Sequence, residues 1–296
     1  MFGDMVFEMT RSFNKEQFKL REHLERLYTS IKYVRIPINM TIDEMEQAVY
    51  DTIRINKECF DDYDEDRIMI NVSRGLIPIY EGKVGVASGA NVIISNYPLR
   101  WTVQNLAHLY DTGINLVLVP QRAIPAHLLE PKIKNRSRIH YQMANIQASL
   151  LEGKDNWAVL LDPDGFVAEG TGDNIFIVKD GIVITPEGRN ILRGISRDYV
   201  FEVCKQLGIK CIEKNIDPYD LMTADECFVT ATPFCVLPVM RYNGQAIGDG
   251  RYGTITKTIL NKWSENVGLD IENQIKMYNR LIEGQDDKSP YQLNFS

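Results

Sequence analysis

After residue 20 the hydrophobic period of this chain is first helical and then, near residue 67, changes, and that change limits the fold more than any single motif does. Residues 20–31 place Leu20, Leu24, Leu27, Tyr28 and Ile31 on one face with charges between them. A second helix is expected over about 41–57, where Thr41 and Glu44 form a capping-box pair and Ile42, Met45, Ala48, Val49 and Ile53 continue an apolar stripe. After the change the runs alternate or shorten: RIMINVS from Arg67, then KVGVAS, NVIIS and NLVLVP, β-branched segments divided by Gly, Pro and Asn. With a strand-like opening, MVFEMTRSF, the first third is α+β. Residues 97–112 read as a short helix or loop, and the Asp111-Thr112-Gly113 break beyond them marks an expected domain boundary.

The second part begins with strands: WAVLLD, a DPDG turn, FVAEG, NIFIV, and IVIT after the Asp180-Gly181 pair, which is a strong hairpin signal between apolar runs. A helix is expected over 196–207, with Ser196 as N-cap, Val200, Val203, Cys204 and Leu207 on one face, and Gly208 as its stop. Asp217-Pro218 opens a short helix. The strand ECFVTAT, a turn at Asn243-Gly244 and a helix near 254–264 follow, and no internal repeat is evident. The expectation is an α+β chain of two domains, a smaller one over 1–112 and a larger one over 113–284, with a polar tail at 285–296.

Composition narrows the function. The chain carries 33 basic against 40 acidic side chains, a net charge of −7, with no basic cluster of the kind nucleic acid requires. No apolar run approaches the roughly 20 residues that cross a bilayer, and Asp4 and Glu8 fall where an export signal would be basic and then apolar, so the expected compartment is the cytoplasm. The five cysteines form no CxxC and read as reduced, packed thiols. The four histidines are scattered without ligand spacing, so no metal site is expected.

Three segments can carry chemistry. In LRGISRDYVFEV a Gly-containing turn feeds a helix and leaves the amides of Ile195 and Ser196 free beside the Ser196 hydroxyl, an arrangement that binds anions, although taken alone a plain helix cap is the better explanation. EGTGDNIF runs from Glu169 through two glycines to Asn174 and a strand; it is not a dinucleotide fingerprint, and Gly82, Gly85 and Gly89 lack the ending of a phosphate loop. KIKNRSRIHYQ gathers Lys132, Lys134, Arg136, Arg138 and His140, which reads either as a solvated basic face or as the setting of a desolvated lysine nucleophile.

In this order, GDMVFEMTRSF, REHLERLYTS, KIKNRSRIHYQMANIQA, EGTGDNIFIVKDGIVITP, LRGISRDYV, LMTADECFVTATPFCVLPV and NGQAIGDGRYGTITKTI resemble the class IV (fold-type IV) aminotransferases over nearly the whole chain. That family includes branched-chain amino-acid aminotransferase, D-amino-acid aminotransferase and aminodeoxychorismate lyase. The resemblance implies a two-domain fold, pyridoxal 5'-phosphate as cofactor and a homodimer. It makes Lys134 the Schiff-base lysine and the catalytic base, a register that also aligns Ala144 and Ala148 with the family's small-residue pattern. It assigns Glu169 to the pyridinium nitrogen, Arg26 with Ile195 and Ser196 to the phosphate, Leu192 to the ring face, Thr232 to the phosphate or the substrate carboxylate, and Asn174 to the cofactor site. Arg138 or Tyr141 would stand near the cofactor phenolate, where the family's usual tyrosine has no counterpart. Phe7, Arg11, Arg74 and Pro233 would line the substrate.

The sequence also departs from the family. It starts at GDMVFE without the strands that usually precede it, Pro233-Phe234 replaces small residues whose amides meet the substrate carboxylate, and the Arg-x-His trap of D-amino-acid enzymes does not follow NVSRGLIPIY. The resemblance therefore implies transfer of an amino group between a branched-chain-like L-amino acid and a 2-oxo acid such as 2-oxoglutarate. The alternatives are a lyase of the aminodeoxychorismate type, a D-amino-acid or amine transaminase, and a non-catalytic scaffold of the same fold.

Overall fold

The computed structural model describes residues 3–76 and 89–282, so the KVGVAS run, Gly82, Gly85 and the 285–296 tail lie outside the described residues. The helical period and the alternating period produce two sheets with helices packed on them. In the first, β1 (Met5–Phe13), β2 (Glu16–Gln17), β3 (Asp66–Ser73) and β4 (Asn91–Pro98) pair antiparallel in the order β2-β1-β3-β4. Burial alternates strictly along β3, as a half-covered sheet demands. The cover is α1 (Leu20–Val34) and α2 (Ile42–Asn56), whose Leu24, Leu27, Met45 and Val49 pack on Val6, Ile68, Ile70 and Val72. The Thr41–Glu44 capping box forms at the start of α2, and α1 continues to Val34, beyond the last apolar position that its stripe marks.

The short helices α3 (Arg100–Val103) and α4 (Leu109–Thr112) occupy the expected 97–112 stretch and lead into β5 (Ile114–Leu118). After β5 come α5 (Ile139–Ser149), β6 (Asn156–Leu161), β7 (Val167–Gly170), β8 (Asn174–Lys179), β9 (Ile182–Thr185) and α6 (Ile195–Leu207). The chain continues through β10 (Cys211–Glu213), α7 (Pro218–Met222), β11 (Glu226–Ala231), β12 (Cys235–Tyr242), β13 (Gln245–Ala246), α8 (Thr254–Val267) and α9 (Ile271–Ile282). Among the described residues these nine strands form one mixed sheet in the order β10-β9-β8-β11-β12-β5-β6-β7, with β13 beside β12. Asp180 and Gly181 both take positive φ, 50° and 73°, as a two-residue hairpin between β8 and β9 requires. Ala144 and Ala148 are fully covered where α5 lies on the sheet against Ala158, Leu160 and Ala168, small residues that let the helix approach closely.

Two expectations need correction. The N-cap of α6 is Gly194, in extended conformation; Ser196 is already inside the first turn and makes no capping bond, because the chain enters the helix two residues earlier than the hydroxyl suggests. The helix α9 falls outside the expected elements, although Ile271, Ile275 and Tyr278 give it an apolar stripe at helical spacing and all three are fully buried.

Candidate active site

The loop between β5 and α5 carries Lys134 and is held against the free edge of β1. The Phe7 N–H donates to the Lys134 carbonyl at 2.9 Å, the Arg136 N–H to the Met5 carbonyl at 2.9 Å, and Val6 bridges Asn135. The Lys134 amine lies 4.8 Å from the Phe7 ring centroid. Burial, with Arg26 and Arg138 nearby, lowers its pKa to about 7, which leaves a substantial uncharged fraction at neutrality. Phe7, expected from the resemblance to line the substrate pocket, thereby flanks the lysine.

Glu169 closes β7 and is buried. It accepts from the Tyr141 hydroxyl at 2.7 Å, the Leu192 N–H at 3.0 Å and the Asn174 amide at 3.3 Å. Burial nevertheless pushes its carboxyl up to about 7, against the lowering effect of those donors. Asn174 is fixed in turn by donating to the Leu192 carbonyl at 2.9 Å and by lying against Gly194, where a Cβ would fall 2.1 Å from its oxygen.

Arg26 reaches over from α1. Its Nε and Nη2 both meet Glu8, at 2.7 and 2.8 Å, while Nη1 donates to the Arg193 carbonyl at 2.7 Å. Glu8 has no exposed surface and takes a third bond from the His23 Nδ1 at 2.8 Å. Burial alone would raise the Glu8 carboxyl, but Arg26 and His23 outweigh it and hold it far below the ordinary carboxylate range. The guanidinium fork is thus fixed on Glu8 and on the Arg193 carbonyl, two residues before α6, and lines one cavity with Ile195 and Ser196.

These groups line an open cavity of about 500 Å³ together with Arg138, Ile195, Ser196 and Thr232, which with Arg26, Lys134, Glu169, Asn174 and Leu192 are the cofactor set implied by the resemblance apart from Tyr141, and with Met9, Asp173 and Thr230. Tyr141 and Arg138 face an adjoining chamber of about 440 Å³ that shares Lys134 and Leu192. Arg138 also donates to the Thr171 carbonyl and stacks over the Tyr141 ring at 4.6 Å.

Three substrate expectations fall elsewhere. Arg11 is buried and spends its donors on the Pro233 carbonyl at 2.9 Å, the Gln274 side chain at 2.8 Å and the Ser12 carbonyl, so it braces the turn after β11 instead of reaching a substrate side chain. Pro233 is buried with it, presenting its carbonyl inward to Arg11. Arg74 pairs with Asp4 and donates to the Val34 and Arg35 carbonyls at the end of α1. Conversely, Glu8, Asp173 and Thr230 are site residues that the sequence reading does not single out. Glu8 does carry a signal: it shares the phase of Val6 and Thr10, the face of β1 that is buried, where an acid needs a partner.

Residues 5–242 match the model of the family described as amino-transferase class IV. A protein of Methanocaldococcus jannaschii, provisionally named a branched-chain-amino-acid aminotransferase, is 37% identical over 90% of this chain and 88% of its own length. Among solved structures, the Escherichia coli branched-chain amino acid aminotransferase superposes with a TM-score of 0.79 at 28% identity, covering 90% of this chain and 86% of the other. The branched-chain amino acid aminotransferase of Thermobaculum terrenum, solved in its PLP-form, does so with a TM-score of 0.77 at 26% identity, covering 94% of this chain and 88% of the other.

Proposed function

The chain belongs to the class IV aminotransferases, and from this premise we propose that it moves the amino group of a branched aliphatic L-amino acid to a 2-oxo acid such as 2-oxoglutarate. It is a pyridoxal-phosphate-dependent transaminase. The cavity fits that cofactor on its own chemistry. A cationic fork and a helix N-terminus stand together for a phosphate, a buried acid with three donors stands for a ring nitrogen, and a desolvated lysine lines the same cavity. We assign the phosphate to Arg26, Ile195 and Ser196, the ring nitrogen to Glu169, and the ring face to Leu192.

When bound, pyridoxal phosphate supplies an electron sink for the bonds at the substrate Cα. The chain's own residues do the rest. The Lys134 amine is able to take a proton from the substrate Cα and return one, since a base works best when its pKa lies near the working pH. Glu169 holds a proton at the ring nitrogen by remaining anionic, and Tyr141, Leu192 and Asn174 keep its oxygens in place. Met9 gives the cavity an apolar wall, and the Phe7 ring lies against the Lys134 amine, surroundings that suit an aliphatic side chain.

The observation that carries this reading is the placement of Lys134 and Glu169 in one cavity with the Arg26–α6 cup. The preference for branched-chain donors is supported by the names of the relatives. We further propose that the protein works in the cytoplasm as a homodimer. Ile139, Met143, Ile146 and Leu150 form an exposed apolar stripe along α5, the kind of surface a second copy would cover. No described helix is long and apolar enough to cross a membrane.

The test is turnover with 2-oxoglutarate and a panel of L- and D-amino acids, following 2-oxo acid formation. Leucine, isoleucine and valine in the L form should react, and Lys134→Ala should abolish the reaction. Activity confined to D-amino acids would overturn the substrate assignment, and pyruvate released without an acceptor would favour the lyase.

A further inference from the structure

The acidic wall of the cavity holds a second carboxyl whose surroundings are the opposite of Glu169's. Asp173 is buried and lines the same cavity, yet its Oδ1 has no hydrogen-bond partner among the described residues. Glu169, by contrast, receives three donors. The Asp173 carboxyl has a built seat: it lies over the Cα of Gly170, where any Cβ would fall within 2.4–2.7 Å of its atoms, and the Gly170 N–H donates to the Asp173 carbonyl at 3.2 Å to close the turn. The Thr230 hydroxyl, also buried and without a partner among the described residues, lines the same wall, beside Asn174 in the register of β11 and β8.

Two buried carboxyls in one cavity cannot both be charged cheaply, and the negative charge settles where donors are supplied. The titratable neighbours of Asp173 are Glu169 from β7 and Cys227 from β11, and the backbone N–H of Gly172 is directed at its carboxyl. Of the cavity's cations, Arg26 is engaged on Glu8 and Arg138 on the Thr171 carbonyl, while Lys134 lies against the Phe7 ring with its charged form disfavoured by burial. We propose that Asp173 is a positioning residue that stays protonated as a neutral donor on the cavity wall, leaving Glu169 as the single anion opposite the cofactor's ring nitrogen. The pair fits the pattern in which environment separates the roles of two acids. Burial, reinforced by Glu169, pushes the Asp173 carboxyl up to about 8, above the value of about 7 for Glu169.

This assignment rests on the cofactor reading above, and the test separates the two. Infrared absorption of the holoenzyme at pH 7 should show a protonated-carboxyl band that disappears as the pH is raised through about 8. The band should shift when the protein is labelled with ¹³C-aspartate, persist in Glu169→Gln and be lost in Asp173→Asn. The pH dependence of cofactor absorbance should lose its upper ionisation in Asp173→Asn while that of Glu169 moves down. Absence of the band, its insensitivity to aspartate labelling, or its loss in Glu169→Gln alone would overturn the proposal. The labelling arm reports any protonated aspartate, and Asp64, Asp66 and Asp198 are also raised by burial, so Asp173→Ser, which must likewise lose the band, serves as the second variant if Asp173→Asn misfolds. If the protein does not take up pyridoxal phosphate, the cofactor reading fails, while the band in cofactor-free Glu169→Gln still reports on Asp173.

Discussion

Replacing Glu8 by glutamine tests whether the cavity's phosphate cup is held from behind. The carboxylate is fully buried, grips Arg26 through two bonds of 2.7 and 2.8 Å and takes a third from His23. Charge centres about 4 Å apart attract by about 4 kcal/mol at an effective dielectric of about 20. Removing one partner of a buried pair costs about 3–5 kcal/mol, because the other charge is left uncompensated. The neutral amide of Glu8→Gln keeps some hydrogen bonding, and Arg26 lies partly open to the cavity, so about 3 kcal/mol is expected. Urea unfolding of the cofactor-free protein at pH 7 measures it. Two dependences follow from the same geometry. The deficit should shrink in saturating inorganic phosphate, which gives Arg26 another anion. It should also shrink in acid: the native Glu8 carboxyl is depressed, so its contribution is complete above the ordinary carboxylate range and is lost as the pH falls below it. A deficit under about 1 kcal/mol, well short of the cost of an uncompensated buried charge, or one indifferent to phosphate, would refute the argument.

Stability of the cofactor-free protein should have opposite pH slopes on the two sides of neutrality. Glu169 is raised, so its contribution is present at low pH and is lost as the pH rises through about 7; Lys134 is lowered to about 7, so native stability recovers as the pH climbs from there toward 10.5. Each group contributes at most about 1.4 kcal/mol per pH unit; Asp173, raised to about 8, adds to the acidic-side slope and opposes Lys134 up to that pH, so in denaturant titrations Glu169→Gln should make the acidic side shallower and Lys134→Met should remove the recovery above about 8, and unchanged slopes would contradict the assigned burial. Gly194→Ala should displace Asn174 and cost about 1–3 kcal/mol as overpacking, seen as a lower melting temperature together with weaker cofactor binding; φ at Gly194 is −72°, so strain of the backbone is not the cause. Arg11→Met should leave the Pro233 carbonyl and Gln274 without their donor, at about 1–3 kcal/mol for each buried acceptor, and should raise the KM for the 2-oxo acid more than it lowers kcat; an unchanged KM would show that the turn needs no brace.

What is legible in the sequence is what short stretches decide. Thr41 with Glu44, Asp180-Gly181 and the alternation of RIMINVS each name a local geometry, and each is found. Lys134, Glu169, Arg26, Ile195 and Ser196 can be collected because a family resemblance orders segments that physics alone would leave separate, and the structure brings them into one cavity. What escapes depends on distant partners. Arg11 resembles a pocket residue until Pro233, 222 positions away, takes its donor. Glu8 is ordinary until α1 swings Arg26 over it, and Asp173 differs from Glu169 only in the donors that Tyr141 and Leu192 bring from elsewhere in the chain. Ser196 is misread as a cap because backbone entry, not composition, fixes where a helix starts, and here it puts Gly194, which has no side chain to cap with, at that place.

The docking of the lysine loop on β1 also sets an order of events during synthesis. The strands and helices of the small sheet have all been translated by residue 98, so a nascent chain can close that sheet early. Among the described residues, the edge of β1 at Met5 and Phe7 then has no mate until residues 134–136 arrive. An exposed strand edge is a template for other chains. The interval during which the ribosome adds roughly the next forty residues is therefore the period in which this protein is most open to mispairing, and slowing translation there should lower its soluble yield.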